Sequence, residues 1–292
     1  MFVFTVGVVG AGVMGGQIAQ AVAAAGELPV RLHDPDPEAL AAALAQAREI
    51  TERRVARSVE RGRLDPRHAD ARVESAMALI RGTTAFEGFG DADLVVEAVP
   101  EDLRIKRDVF AELDARTPGH AVLATSTSSL PIAAIADGVG SDRRERVLGL
   151  HFLRPAAVQR VVEVVVAEET SPATVQTAVS FVHRIRRSPI RCAESPGFVV
   201  DRILGAVHSE LWAGQEETGM PVEEVDAELR ESGLLPMGPF ALADMIGLDS
   251  VVRVAGALRE AYGDAFRVHA GMEALVARGD LGAKTGRGFY EH

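Results

Sequence analysis

The feature that most constrains this chain lies near its start. An apolar run, Phe4–Val9, leads straight into Gly10-Ala11-Gly12-Val13-Met14-Gly15 and then into the Ala-rich stretch Gln17–Ala25. The run has the β-branched character of a strand. The Ala-rich stretch favours helix, with Gly26 as its expected stop. A second short strand, Val30–His33, ends in Asp34. Strand, glycine turn, helix and strand make a βαβ unit, and the acid stands where a dinucleotide fold needs one. Gly10 permits the tight turn, Gly12 lets a pyrophosphate approach the backbone, and Gly15 allows close helix–strand packing. The backbone of Val13 and Met14 belongs to the same contact. The pyrophosphate is expected on the helix N-terminus, where free N–H groups and the dipole favour anions. Asp34 is expected to accept from the adenosine ribose hydroxyls. A carboxylate there repels a 2′-phosphate, so the expected cofactor is NAD rather than NADP.

Further along, Glu38–Ile50 reads as helix, and Thr51–Ile80 as a charged, helical excursion carrying Arg53, Arg54, Arg57 and Arg61. Leu94–Ala98 is a buried strand. Arg104–Asp114 is a helix with Ile105, Val109, Phe110 and Leu113 on one face. Val122–Thr125, Val147–His151 and Val161–Val166 are further strands. Alternating strands and helices predict an α/β architecture, a mostly parallel sheet covered on both faces. Near Ser188–Gly197 the pattern breaks at Pro189, Pro196 and Gly197. Beyond it, Phe198–Glu217, Val222–Ser232, Phe240–Tyr262 and Gly271–Arg278 read as helices. The expected organisation is a Rossmann-type domain over 1–193 and an all-α domain over 194–292.

Composition narrows the partners. With 31 basic against 42 acidic residues the net charge is −11. Such a chain repels phosphate backbones, so nucleic acid is not an expected partner. The single cysteine, Cys192, forms no internal disulfide and builds no zinc cluster, and it reads as a small buried apolar residue. No run of about 18 apolar residues is present, so no membrane span is expected. The segment MFVFTVGVVG lacks the positive region of a signal peptide, and a cytoplasmic setting is expected. Only two of the 31 basic residues are lysines, Lys106 and Lys284, and asparagine is absent. Where such an arginine-rich chain keeps a lysine, a compact ammonium on a flexible stem is the reason to look for, since a planar guanidinium does not imitate it.

A second constellation carries chemistry. His151 ends one strand, and Glu163 follows twelve residues later inside the apolar run Val161–Val166. A carboxylate in such a strand is costly without a partner. An imidazole is the obvious one, and the pairing fixes its tautomer and raises its basicity, as a general base requires.

Several separated motifs together resemble the 3-hydroxyacyl-CoA dehydrogenase family, including its short-chain hydroxybutyryl-CoA members. They are GAGVMG (10–15), LVVEAVPEDLRIK (94–106), TSTSSL (125–130), HFLRP (151–155) with Glu163, SPGFVVDRIL (195–204), PMGPFALADMIGLD (236–249) and KTGRGFY (284–290). The resemblance implies a Rossmann-type domain followed by a helical one that usually forms a homodimer. It also implies oxidation of a secondary alcohol at C3 of an acyl thioester, with hydride passing to NAD. By the same resemblance His151 takes the hydroxyl proton and Glu163 orients it. Ser128 stands near the nicotinamide and the substrate oxygen. Glu101, Lys106 and Lys284 match cofactor contacts.

The chain departs from the family at three asparagines. Ser126 replaces the Asn of the NTS motif, Arg154 that of HFFNP, and Asp201 that of PGFxxNR. Arg154 and Asp201 fall on positions that line the substrate site in the family, and their opposite signs predict a compensating ion pair. A charge pair near the thioester suits a small polar acyl group, such as a glyceryl unit. Related enzymes of polyketide extender-unit pathways oxidise such units on an acyl-carrier protein, so an acyl-CoA and an acyl-carrier-protein thioester both stand as expected substrates. The four-arginine cluster of the excursion then meets CoA phosphates, an acidic carrier protein or solvent. A nucleotide-binding protein without turnover, and a dehydrogenase of free hydroxy acids, remain open as other readings.

Overall fold

A computed structural model of the chain describes residues 2–292, which divide into two compact units at the Glu194–Ser195 bond. The first is built on one eight-stranded sheet. Its strands are β1 Val6–Val9, β2 Val30–His33, β3 Ile80–Thr83, β4 Leu94–Glu97, β5 Val122–Thr125, β6 Val147–Phe152, β7 Val161–Val166 and β8 Ser188–Ala193, in the order β3-β2-β1-β4-β5-β6-β7-β8. Every neighbouring pair is parallel except β6–β7. The order reverses between β1 and β4. In open α/β sheets that switch point opens a crevice beyond the carboxyl ends of the strands, where ligands bind. The unit is thus a Rossmann-type α/β fold. The central strands are buried along their whole length, as a sheet covered on both faces requires.

Helices α1 Val13–Ala21, α2 Pro37–Glu60, α3 Ala69–Met77, α4 Leu103–Arg116, α5 Ile132–Ala136 and α6 Pro172–Arg184 complete the first unit. Several elements of this unit differ from the sequence reading for local reasons. The first helix starts at Val13 and loosens into a turn of π-helix over Val22–Gly26. The chain then turns at Glu27 (φ 53°), not at the expected glycine. The second is not a short helix plus an excursion but one unbroken α2. Asp36 caps it by accepting from the Glu38 N–H at 2.8 Å, and Pro37 fills its first position. The excursion that remains is α3, followed by the edge strand β3, which begins at Ile80 where the expected helical excursion ends. Pro189, read as a break, lies inside β8. This is an edge strand, where the missing N–H is tolerated.

The second unit is helical: α7 Val200–Thr218, α8 Val222–Glu231, α9 Pro239–Ile246, α10 Leu248–Tyr262 and α11 Ala270–Arg278. The expected single helix Phe240–Tyr262 is two, broken at Gly247, whose φ of +103° no helix accommodates. Its core gathers Trp212, Phe240, Leu248 and Met272. Two buried carboxylates pin it. Asp226 accepts from the N–H groups of Phe240 and Ala241 and from the Tyr290 hydroxyl, and Asp244 from the N–H groups of Phe289 and Tyr290. Among the described residues no helix is long and apolar enough to cross a membrane.

Candidate active site

The glycine loop joins β1 to α1 at the switch point. Gly10 holds φ +98°, and a Cβ there would lie 2.7 Å from the Ala98 carbonyl oxygen. A Cβ on Gly15 would lie 1.8 Å from the Gly10 oxygen, so the loop and helix approach only because both are glycines. Gly12 faces open space, with no atom within 4 Å of where its Cβ would be, and no side chain caps α1. The first N–H groups of that helix, at Val13 and Met14, are therefore left for a ligand, and a dinucleotide pyrophosphate fits this cradle. Asp34, at the end of β2, accepts the Ala11 N–H at 2.7 Å through Oδ2 and the Asp36 N–H at 3.0 Å through Oδ1. The two bonds fix the carboxylate against the loop and leave it lone pairs for ribose hydroxyls.

Three side chains meet at the ends of β5, β6 and β7. The antiparallel register sets His151 directly opposite Glu163. Residues opposite each other on neighbouring strands share a face, so a separation of twelve in sequence becomes direct contact. His151 Nδ1 lies 2.7 Å from Glu163 Oε2, and Nε2 lies 3.1 Å from Ser128 Oγ. His151 is 4% exposed and Glu163 is fully buried. With an ionised Glu163 the proton sits on Nδ1, leaving a bare lone pair on Nε2 that accepts from Ser128.

Ser128 is itself held in place. Glu101 Oε1 accepts from the Thr127 hydroxyl at 2.6 Å, from the N–H groups of Ser128 and Ser129 at 3.0 and 3.1 Å, and from the Ser129 hydroxyl at 3.1 Å. Its other oxygen faces Lys106 Nζ at 3.3 Å. The ammonium is 1% exposed and bonds Glu97 Oε1 at 2.7 Å. Glu97 also accepts from the Thr125 hydroxyl and the Val99 N–H, each at 2.7 Å. Asp102 starts α4 by accepting from the N–H groups of Arg104 and Ile105, which sets Lys106 on the first turn. Burial drives the Glu97 carboxyl above its ordinary pKa, against the pull of Lys106, Thr125 and Val99. For Glu101 burial acts the same way but is outweighed by Lys106 and the donors of the 127–129 turn, and its carboxyl sits below the ordinary range.

Glu101 therefore stabilises the folded state through its charge. The contribution is complete above the ordinary glutamate pKa of about 4.3 and is lost as pH falls through the lower folded value. The melting temperature of Glu101→Gln is expected to lie below that of the parent at neutral pH, and the gap to close as pH drops below about 4. A gap that does not change with pH would contradict this account.

Glu101 and Lys106, expected together as cofactor contacts, and Ser128, expected at the substrate, fall in one network. Glu97, Thr125 and Thr127 join it without having been singled out from sequence. The signal for Glu97 was present, a carboxylate inside the apolar strand LVVE, the same signal that found Glu163. Lys284 bonds Asp249 Oδ1 at 2.7 Å and Ser250 Oγ at 3.2 Å within the helical unit. Arg154 is exposed after β6, and Asp201 lies half-buried in the first turn of α7. Cys192 is buried in β8.

A glycine cradle that fits a dinucleotide and a carboxylate-held imidazole stand on one Rossmann-type sheet. The family models for the 3-hydroxyacyl-CoA dehydrogenase NAD-binding domain and C-terminal domain match residues 5–195 and 197–292. The chain belongs to the 3-hydroxyacyl-CoA dehydrogenase family. It is 36% identical over 285 residues to the fatty acid oxidation complex subunit alpha of Shewanella loihica, across 98% of this chain and 39% of that protein. The chain thus spans about two fifths of that curated relative. Among solved structures it resembles the (S)-3-hydroxybutyryl-CoA dehydrogenase PaaH1 of Ralstonia eutropha, with 33% identity, a TM-score of 0.87 and 99% of each chain covered. It also resembles FadB2 of M. tuberculosis, with 32% identity, a TM-score of 0.88 and both chains fully covered.

Proposed function

We propose that the chain oxidises the C3 hydroxyl of a short 3-hydroxyacyl thioester, as in the conversion of 3-hydroxybutyryl-CoA to acetoacetyl-CoA. The observation that carries this reading is the line Ser128–His151–Glu163, with Nδ1 2.7 Å from the Glu163 carboxylate and Nε2 3.1 Å from the Ser128 hydroxyl oxygen. His151 Nε2 takes the proton of the substrate hydroxyl. Glu163 holds Nδ1–H and stabilises the imidazolium that forms, as the buried carboxylate of a catalytic triad does. Ser128 Oγ, released from Nε2 when the substrate hydroxyl arrives, holds the substrate oxygen. Bound NAD supplies the acceptor for the hydride that leaves C3. Gly10, Gly12, Val13, Met14, Gly15 and Asp34 bind and orient the dinucleotide, with Glu101 as a further contact and Lys106 holding Glu101 in place. A cytoplasmic setting and a homodimer through the helical unit belong to the same reading.

A second reading rests on Arg154 and Asp201. Two charges of opposite sign, at positions that line the substrate site in the family, favour a polar hydroxyacyl unit such as glyceryl on an acyl-carrier protein. The test compares kcat/KM for 3-hydroxybutyryl and glyceryl groups, each on CoA and on a carrier protein. The CoA reading expects 3-hydroxybutyryl-CoA to be turned over at least as well as any other. Preference for glyceryl on the carrier protein replaces it with the second reading, which further expects R154N/D201N to shift preference toward hydroxybutyryl. A lack of NAD reduction with every thioester overturns both.

A further inference from the structure

The first unit holds a second concave site that the dinucleotide chemistry does not use. A cavity of about 270 Å³ lies against the second half of α2, close in size to small-ligand pockets, which begin near roughly 300 Å³. Four arginines from four segments line it: Arg54 from α2, Arg63 from the connection to α3, Arg72 from α3, and Arg186 from the turn between α6 and β8. Arg72 is paired with Glu27 at 3.0 Å. Among the described residues no carboxylate lies within 4 Å of the guanidinium of Arg54, Arg63 or Arg186. Thr51 and Ser58 also line it, their hydroxyls donating to the Ala47 and Arg54 carbonyls of α2.

A fifth guanidinium is close by. Arg187 is buried and donates to the carbonyls of Ala156 and Ala157, while its Nε has no partner. Burial and the charges of Arg54 and Arg160 lower its pKa; Arg54, like the other three wall arginines, reaches solvent, and partial desolvation with the nearby Arg186 and Arg72 lowers its pKa too. Such repulsion is notable in a chain whose net charge is −11. A bound anion would relieve it, and guanidinium forks match phosphate oxygens two at a time.

The backbone at Arg186 points the same way. The turn closes α6 with bonds from Arg186 N–H to His183 O and from Arg187 N–H to Val182 O, and Arg186 takes the left-handed position at φ 58°. That position favours glycine. Here it carries a cation into the cavity at a backbone cost.

We propose that this cavity binds a compact phosphorylated anion of the pyrophosphate type, at a site separate from the dinucleotide cleft. None of its lining residues belongs to that cleft or to the Ser128–His151–Glu163 line. Ala24 on its wall lies eleven residues past the start of α1, roughly 16 Å along the helix axis at about 1.5 Å per residue.

The test is calorimetric titration of inorganic pyrophosphate into the full chain at low ionic strength. One saturable site is expected, weakened by added salt and indifferent to saturating NAD. Arg54→Gln and Arg186→Gly are each expected to weaken it at least about tenfold, the scale of one lost charge-assisted hydrogen bond. Arg186→Gly relieves the left-handed strain, so its melting temperature should not fall, which separates lost binding from lost fold. Competition by CoA assigns the anion to the phosphates of the substrate carrier, and absence of competition assigns it to a free anion. No saturable binding, displacement by NAD, or unchanged affinity in both variants overturns the proposal.

Discussion

Replacing His151 by alanine is expected to lower kcat by roughly 10²–10⁴-fold, the usual contribution of a positioned general base. NAD affinity should hold within about twofold, because the glycine loop and Asp34 form the dinucleotide cradle with contacts of their own. The size of the loss follows from the geometry. Nδ1 is committed to a fully buried carboxylate at 2.7 Å, so Nε2 is the ring atom left to take a proton. Removing the ring also leaves Glu163 buried and short of a donor, so a stability loss should accompany the kinetic one. Glu163→Gln separates the two effects. It keeps the shape and a hydrogen bond but frees the tautomer, and kcat should fall while the melting temperature moves less than in His151→Ala. A His151→Ala enzyme whose kcat stays within a few-fold of the parent would remove the catalytic assignment and leave the fold untouched.

Replacing Lys106 by methionine is expected to destabilise the Rossmann-type unit by about 3–5 kcal/mol, the cost of leaving a buried charge without its partner. At about 2–4 °C per kcal/mol for a unit of this size, that is a fall of roughly 10 °C. The ammonium stands between Glu97 and Glu101, so its loss strands one buried carboxylate and slackens the clamp on the 127–129 turn. Loss of NAD-dependent turnover should follow from the misplaced Ser128. Lys106→Arg keeps the charge yet is expected to fail in the same direction, because the enclosed space between two carboxylates suits a compact ammonium. Glu97→Gln combined with Lys106→Met should recover most of the stability, since the stranded charge is then gone. Differential scanning calorimetry of the full chain reads all three. A shift below about 2 °C for Lys106→Met, under 1 kcal/mol on the same scale, would show that the buried pair is not what holds the turn.

Much of this was legible in the sequence because the physics is local. The glycine loop announces its own turn, and β5 and β7 are largely apolar runs. Glu163 betrayed itself as a charge in a place where charges are costly. What escaped reading had weak or conflicting local signals. β3 offers one buried residue, Ile80, beside Arg81 and Gly82, and only pairing with β2 makes it a strand. β8 contains a proline, and a proline argues against a strand until it is known to lie at an edge. α6 was passed over although Ser171 caps it, Pro172 opens it, and Val175, Ala178, Phe181 and Val182 line one face. The break at Gly247 depends on a backbone angle that composition does not reveal. The clamp from Glu97 through Lys106 and Glu101 to Ser128 joins residues of a strand, a helix and a loop. Those partners meet only once the sheet is assembled.

The central claim is a protonation pattern, with the His151 proton on Nδ1, held by Glu163, and a bare Nε2 for the substrate hydroxyl. Nitrogen-15 NMR of histidine-labelled protein at neutral pH, with His151 assigned by its loss in His151→Ala, reads that pattern directly. A protonated Nδ1 with an unprotonated Nε2, changed in Glu163→Gln, is the predicted result. A neutral ring carrying its proton on Nε2 would contradict the account, because that ring has no lone pair where the alcohol must lose its proton.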